Sequence, residues 1–99
     1  MKLQMSKEVA KWYKQELDIT DNSKLRFYVR YGGMGGNIPG FSLGIMKDEP
    51  EDVHTSIEVE NITFFIEKKD AWYFEEKDLK IHLNRKIMEP AFNYMDEKQ

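Results

Sequence analysis

The chain has 99 residues, 40% of them hydrophobic and 13% aromatic, with a formal net charge of −3 and no cysteine. That length suits one domain over residues 1–99, and the apolar content supplies a core, which excludes a disordered chain. The missing thiols exclude disulfides, Cys-ligated zinc, Cys-ligated iron–sulfur clusters and cysteine nucleophiles, and the negative balance argues against generic nucleic-acid binding.

Leu3 to Met5 fits a short edge strand. Ser6 to Leu17 reads as a helix: Ser6 suits the N-cap, Glu8 the first turn, and Val9, Trp12, Tyr13 and Leu17 share a face. Asp18 to Ser23 is turn chemistry. Lys24 to Tyr31 alternates as a strand, with Leu25, Phe27, Val29 and Tyr31 on the apolar side. Phe41 to Met46 forms a second strand with Phe41, Leu43 and Ile45 inward, ended by the run Asp48-Glu49-Pro50-Glu51-Asp52. Val53 to Val59 and Ile62 to Ile66 flank Glu60-Asn61 as a β-hairpin in which Asn61 takes a positive φ. Lys68 to Phe74 has helical character, Leu79 to Leu83 is a strand, and Ala91 to Met95 fits a last short one. The class is mainly β with flanking helices (α+β), arranged as a mostly antiparallel β-sandwich.

Gly32-Gly33-Met34-Gly35-Gly36-Asn37-Ile38-Pro39-Gly40 is the most unusual segment. It is not a phosphate loop, because no Gly-Lys-Ser/Thr ending and no helix follow it. Gly32, Gly33, Met34, Gly35, Gly36 and Asn37 are the candidate binding residues; the alternative is a flexible inter-strand connection. The acidic run at 48–52 is either a solvated turn or a collector of a hard cation. His54 and His82 fall opposite the apolar side of their strands, which predicts exposure and leaves no metal site. Trp12-Tyr13 and Trp72-Tyr73-Phe74 pack two short helices onto the sheet, whereas an exposed aromatic from either cluster would mark a protein interface. No catalytic residues are assigned, because no nucleophile elbow or triad pattern is present.

Leu25-Arg26-Phe27-Tyr28-Val29-Arg30-Tyr31-Gly32-Gly33, Pro39-Gly40-Phe41-Ser42-Leu43-Gly44 and Asp48-Glu49-Pro50-Glu51-Asp52 occur in that order. Followed by Ile62-Thr63-Phe64-Phe65-Ile66-Glu67 and Asp70-Ala71-Trp72-Tyr73-Phe74, they resemble the HesB-like family, which is related to the A-type iron–sulfur carriers. The resemblance implies a compact β-sandwich with flanking helices. It also implies a cysteine at or beside Met34 and a Cys-Gly-Cys motif near the C-terminus, and neither is present. The expected function is therefore a non-enzymatic interaction or binding module without autonomous iron–sulfur ligation and without a cofactor. The alternative is an accessory factor in iron–sulfur cluster biogenesis that uses non-cysteine or partner-donated ligands. A protein partner or self-association is expected, with no nucleic acid and no membrane. The N-terminus lacks the apolar region of a secretory signal, so a cytoplasmic location is expected.

Overall fold

The computed structural model describes residues 1–33 and 35–96. In chain order it places β1 (Leu3–Met5), α1 (Lys7–Glu16), β2 (Lys24–Tyr31), β3 (Phe41–Lys47), β4 (Val53–Val59) and β5 (Ile62–Glu67). A short 3₁₀ helix (Lys68–Phe74), β6 (Asp78–Asn84) and β7 (Glu89–Met95) complete it.

The strands form two sheets, one of order β1-β6-β7 and one of order β3-β2-β5-β4. The expected β-rich, two-layer architecture with flanking helices is thus present. The three pairs of neighbours in sequence, β2–β3, β4–β5 and β6–β7, are antiparallel. The pairs β1–β6 and β2–β5 are parallel and join strands separated by long crossovers. Periodicity reports which face of a strand is apolar, not which distant strand lies beside it, so this part of the topology was not legible.

Helix α1 starts where Ser6 Oγ accepts the Val9 N–H at 3.3 Å. It buries Val9, Ala10 and Tyr13 against the core. Trp12 is only half-buried and donates its indole N–H to the Met88 carbonyl at 2.8 Å. Leu17, expected on the apolar face, is the exposed C-cap, because the chain turns away at Asp18 with a φ of 48°. In β2, Leu25 and Phe27 are fully buried, but Tyr31 is 89% exposed. The strand overruns the core at that end, and its alternation continues where nothing remains to cover the side chain.

The β4–β5 hairpin turns through Glu60 and Asn61 with φ values of 52° and 62°. Both central residues are left-handed, the condition of a type I′ turn, whereas the sequence singled out Asn61 alone. Strand β5 is central in its sheet, and Ile62, Phe64, Phe65 and Ile66 are all fully buried. The 3₁₀ helix seals one end of the core with Tyr73 and Phe74, also fully buried. Among the described residues no helix is long and apolar enough to cross a membrane.

Candidate functional site

The glycine-rich segment connects β2 to β3 and is tied to the fold at several points. Gly32 N–H donates to the Gly40 carbonyl at 2.7 Å, and Phe41 N–H to the Ile38 carbonyl at 3.1 Å. Asn37 is the main anchor. Its backbone N–H donates to Tyr73 Oη at 2.7 Å, its Nδ2 to the Tyr73 carbonyl at 2.8 Å and to Glu75 Oε1 at 3.0 Å. Lys77 Nζ in turn donates to Asn37 Oδ1 at 3.0 Å. Every polar group of the Asn37 side chain is thereby engaged, which fixes the loop against the 3₁₀ helix.

Glycine is required at two loop positions for reasons of space. At Gly36 a Cβ would run into the Phe41 carbonyl and Tyr73 Oη, and at Gly33 into Ser42 Oγ, where φ is also 82°. Gly32 and Gly35 have open space around them and positive φ. Met34 lies outside the described residues.

Beside the loop runs a chain of aromatic rings in edge-to-face contact. Tyr31 meets Phe41 at 5.7 Å between centroids, and Phe41 meets Trp72 at 5.3 Å. Trp72 meets Tyr73 at 6.2 Å, and Tyr73 meets Phe74 at 5.1 Å. One end is buried and the other is open, with Tyr31 89% and Trp72 53% exposed. The β2–β3 register sets Tyr31 opposite Phe41. Trp72 is presented because three residues per 3₁₀ turn send it away from the core that takes Tyr73 and Phe74. Edge-to-face pairs of this kind hold rings in fixed orientations. A large exposed aromatic surface on a rigid base is the usual composition of a protein contact. The sequence contained the rings, but core packing and exposure are indistinguishable at Trp72 until the helix type is known.

The inner end of the chain joins Tyr94, whose Oη lies 3.2 Å from Tyr73 Oη. Burial, and secondarily the bond to Tyr73, pushes the Tyr94 hydroxyl well above the ordinary tyrosine range. The hydroxyl therefore stays protonated and available as a hydrogen-bonding group under the loop.

Under the opposite end of the same sheet lies a charge network that the sequence did not disclose. Arg26 donates from Nη2 to Asp70 Oδ2 at 2.9 Å and from Nη1 to Asp48 Oδ2 at 3.2 Å. Burial opposes the guanidinium charge, but the bonds and charges of Asp70 and then Asp48 overcome it and hold Arg26 protonated. Glu67, a buried carboxylate, accepts the N–H groups of Glu51 at 2.9 Å and Asp52 at 2.7 Å. Lys24 pairs with Glu49 and Lys68 with Asp52. The acidic run is therefore a braced turn in which Asp48, Glu49 and Asp52 have cationic partners. Among the described residues no three His, Asp or Glu side chains gather as a metal-holding group.

The two histidines are not brought together. His54 is exposed and lines a pocket of about 540 Å³ with Trp72, Glu75 and Glu76. His82 is half-buried on β6, with Nδ1 3.4 Å from Asn93 Nδ2, rather than exposed as expected. The strand face opposite the core is here shared with Asn93 of β7, which the alternation could not indicate.

Fold and site together define a small two-sheet β protein that presents an anchored aromatic surface. It is 42% identical over 94 residues to the pyruvate dehydrogenase inhibitor of Bacillus subtilis, covering 95% of this chain and 99% of that protein. It is 36% identical over 95 residues to an uncharacterised protein of Staphylococcus saprophyticus, with 93% and 97% covered. An uncharacterised protein of Staphylococcus haemolyticus is 35% identical over 82 residues, with 80% and 83% covered. No family model matches the chain. The chain belongs to the family of the Bacillus subtilis pyruvate dehydrogenase inhibitor and these staphylococcal proteins.

This corrects the resemblance to the HesB-like family and the link to iron–sulfur assembly that came with it. No model of that family matches, and the characterised relative carries a different name. The segments behind the resemblance describe a strand, a glycine-rich loop, a strand and an acidic turn. That order is general β-hairpin grammar, and the cysteines that would have made it specific are absent.

Proposed function

We propose that this chain acts as one domain, in the cytoplasm, as a protein-binding regulator that lowers pyruvate dehydrogenase activity by docking rather than by catalysis. The observation that carries the reading is the 42% identity to the Bacillus subtilis pyruvate dehydrogenase inhibitor over nearly the full length of both chains. The surface geometry supports it. Tyr31, Phe41 and Trp72 offer a rigid, partly exposed aromatic face, and Gly32, Gly33, Met34, Gly35, Gly36 and Asn37 are the candidate binding segment. Aromatic side chains of this kind dominate protein interfaces, because they bury large areas with little loss of conformational freedom.

The test is steady-state turnover of purified pyruvate dehydrogenase titrated with the protein. A saturable loss of activity is expected. Trp72→Ala and Tyr31→Ser should each weaken inhibition about tenfold or more, the range of interface hot spots, while the melting temperature stays near wild type. Full enzyme activity at a large molar excess of the protein would refute the proposal.

A further inference from the structure

The turn after the 3₁₀ helix carries two glutamates where its backbone favours other residues. Lys77 N–H donates to the Phe74 carbonyl at 2.9 Å, and the residues between, Glu75 and Glu76, have φ values of 51° and 64°. Both are left-handed, the type I′ geometry that asparagine and glycine adopt with least strain. Glu75 is used by the fold: its Oε1 accepts from Asn37 Nδ2 at 3.0 Å and lies 3.9 Å from Lys77 Nζ. Glu76 is not. It is exposed and makes no hydrogen bond or ion pair among the described residues. Asparagine would serve the turn better, which leaves the Glu76 carboxylate without a structural role.

Both glutamates line the pocket of about 540 Å³ that His54 also borders, together with Met1, Trp72 and Phe74. Among the described residues no lysine or arginine lines it. Lys77, next in the chain, sends its Nζ to Asn37 Oδ1 at 3.0 Å, into the loop anchor. Trp72 is held by edge-to-face contacts with Phe41 and Tyr73, so its ring is oriented before anything binds. The pocket therefore combines an exposed indole, apolar surface and carboxylates in one concavity.

That combination selects a ligand class. An apolar side chain would desolvate the carboxylates without compensation, and an anion would be repelled by them. An arginine side chain lays its methylene stem on apolar surface, packs a planar guanidinium against an aromatic ring and offers forked donors to a carboxylate. Lysine matches less well, because its ammonium is compact and strongly hydrated.

We propose that this pocket receives an arginine side chain of the partner protein, packed against Trp72 with its guanidinium toward the Glu76 carboxylate. The partner rests on the regulator reading above; the pocket's choice of side chain does not.

The test uses the full chain in two arms. In the first, the probes are terminally blocked peptides, glycine–arginine–glycine and the same peptide with citrulline, the neutral isostere. Nuclear magnetic resonance should show saturable shifts of the Trp72 indole N–H and the Glu76 amide with the arginine peptide. The citrulline peptide should bind at least about fivefold more weakly, the scale of one cation–π contact with one exposed ion pair. Glu76→Asn should hold or raise the melting temperature, since asparagine suits the left-handed backbone, and should lose a similar factor in affinity for the arginine peptide. A merely structural Glu76 would move stability and leave affinity unchanged. No shift at Trp72 and Glu76, equal binding of citrulline, or an Asn variant that binds like wild type overturns the proposal. Free arginine that binds more tightly than the peptide also overturns it, since the occupant is then a small molecule.

In the second arm the probe is purified pyruvate dehydrogenase, which Glu76→Asn should inhibit at least about fivefold less well than wild type. Equal inhibition by both overturns the arginine contact and leaves the regulator reading standing. Absence of inhibition by wild type, with positive peptide results, refutes the regulator reading and leaves the pocket's preference for arginine standing.

Discussion

Removing the Asp70 carboxylate should destabilise the protein by about 2–3 kcal/mol. The Asp70 side chain is 10% exposed and that of Arg26 12%, so solvent screens the pair little. At 2.9 Å the gross attraction is on the order of 6 kcal/mol at an effective dielectric of 20, most of it offset by the desolvation of both groups. Asp70→Ala deletes the attraction and leaves the desolvation of Arg26 in place. The 3.2 Å contact with Asp48, whose side chain is 37% exposed, recovers part of the loss and keeps the cost below that of a fully orphaned charge. For a chain of this size, the expected drop in melting temperature is roughly 10–20 °C. Asp70→Asn retains one acceptor and should cost about half as much. The double variant Arg26→Met/Asp70→Leu removes charge and counter-charge together and should lie within about 1 kcal/mol of wild type. Urea unfolding of wild type, Arg26→Met, Asp70→Leu and the double variant gives the coupling directly. A loss below about 0.5 kcal/mol for Asp70→Ala, or a double variant as unstable as the sum of its parts, would refute the account of a buried, mutually dependent pair.

Alkaline pH tests the buried tyrosines. Burial raises the hydroxyl pKa of Tyr13 and of Tyr94 in the folded state, so the unfolded chain releases these protons first. Their contribution is complete below about pH 10 and is lost as pH rises beyond it, and Tyr13→Phe or Tyr94→Phe should flatten that fall in a denaturation series. Gly36→Ala would push a methyl group into the Phe41 carbonyl and Tyr73 Oη; a loss of about 1–3 kcal/mol and faster exchange of the Asn37 amide are expected. In the β4–β5 turn, Glu60→Asn with Asn61→Gly should raise stability by about 0.5–1 kcal/mol, since both positions have positive φ. Calorimetry showing no gain there would mean that the turn relaxes in solution to another type.

Local pattern made much of the fold legible. The alternation in Lys24–Tyr31 and Val53–Val59 identified strands, and Ser6 marked the helix start, because side-chain period and capping chemistry depend only on near neighbours. The glycine loop was recognisable as a segment with special backbone needs, but not its anchor. Asn37 is held by Tyr73, 36 residues away, a contact with no local signal. The same holds for Arg26 with Asp70, separated by 44 residues. The family resemblance read from short segments failed for a related reason: strand–loop–strand order is shared by many unrelated hairpins, whereas identity over nearly the whole chain is not.

By itself the sequence determined that this chain has no thiol chemistry, has enough apolar surface for a core, and is built mainly of strands. These follow from composition and from the two-residue period of a pleated strand. Only the tertiary structure decided the parallel joins β1–β6 and β2–β5, the exposure of Tyr31 and Trp72, and the open edge of β3. Each depends on what stands beside an element rather than within it. An aromatic ring is core or contact surface, and a strand is interior or edge, according to whether a distant segment arrives to cover it.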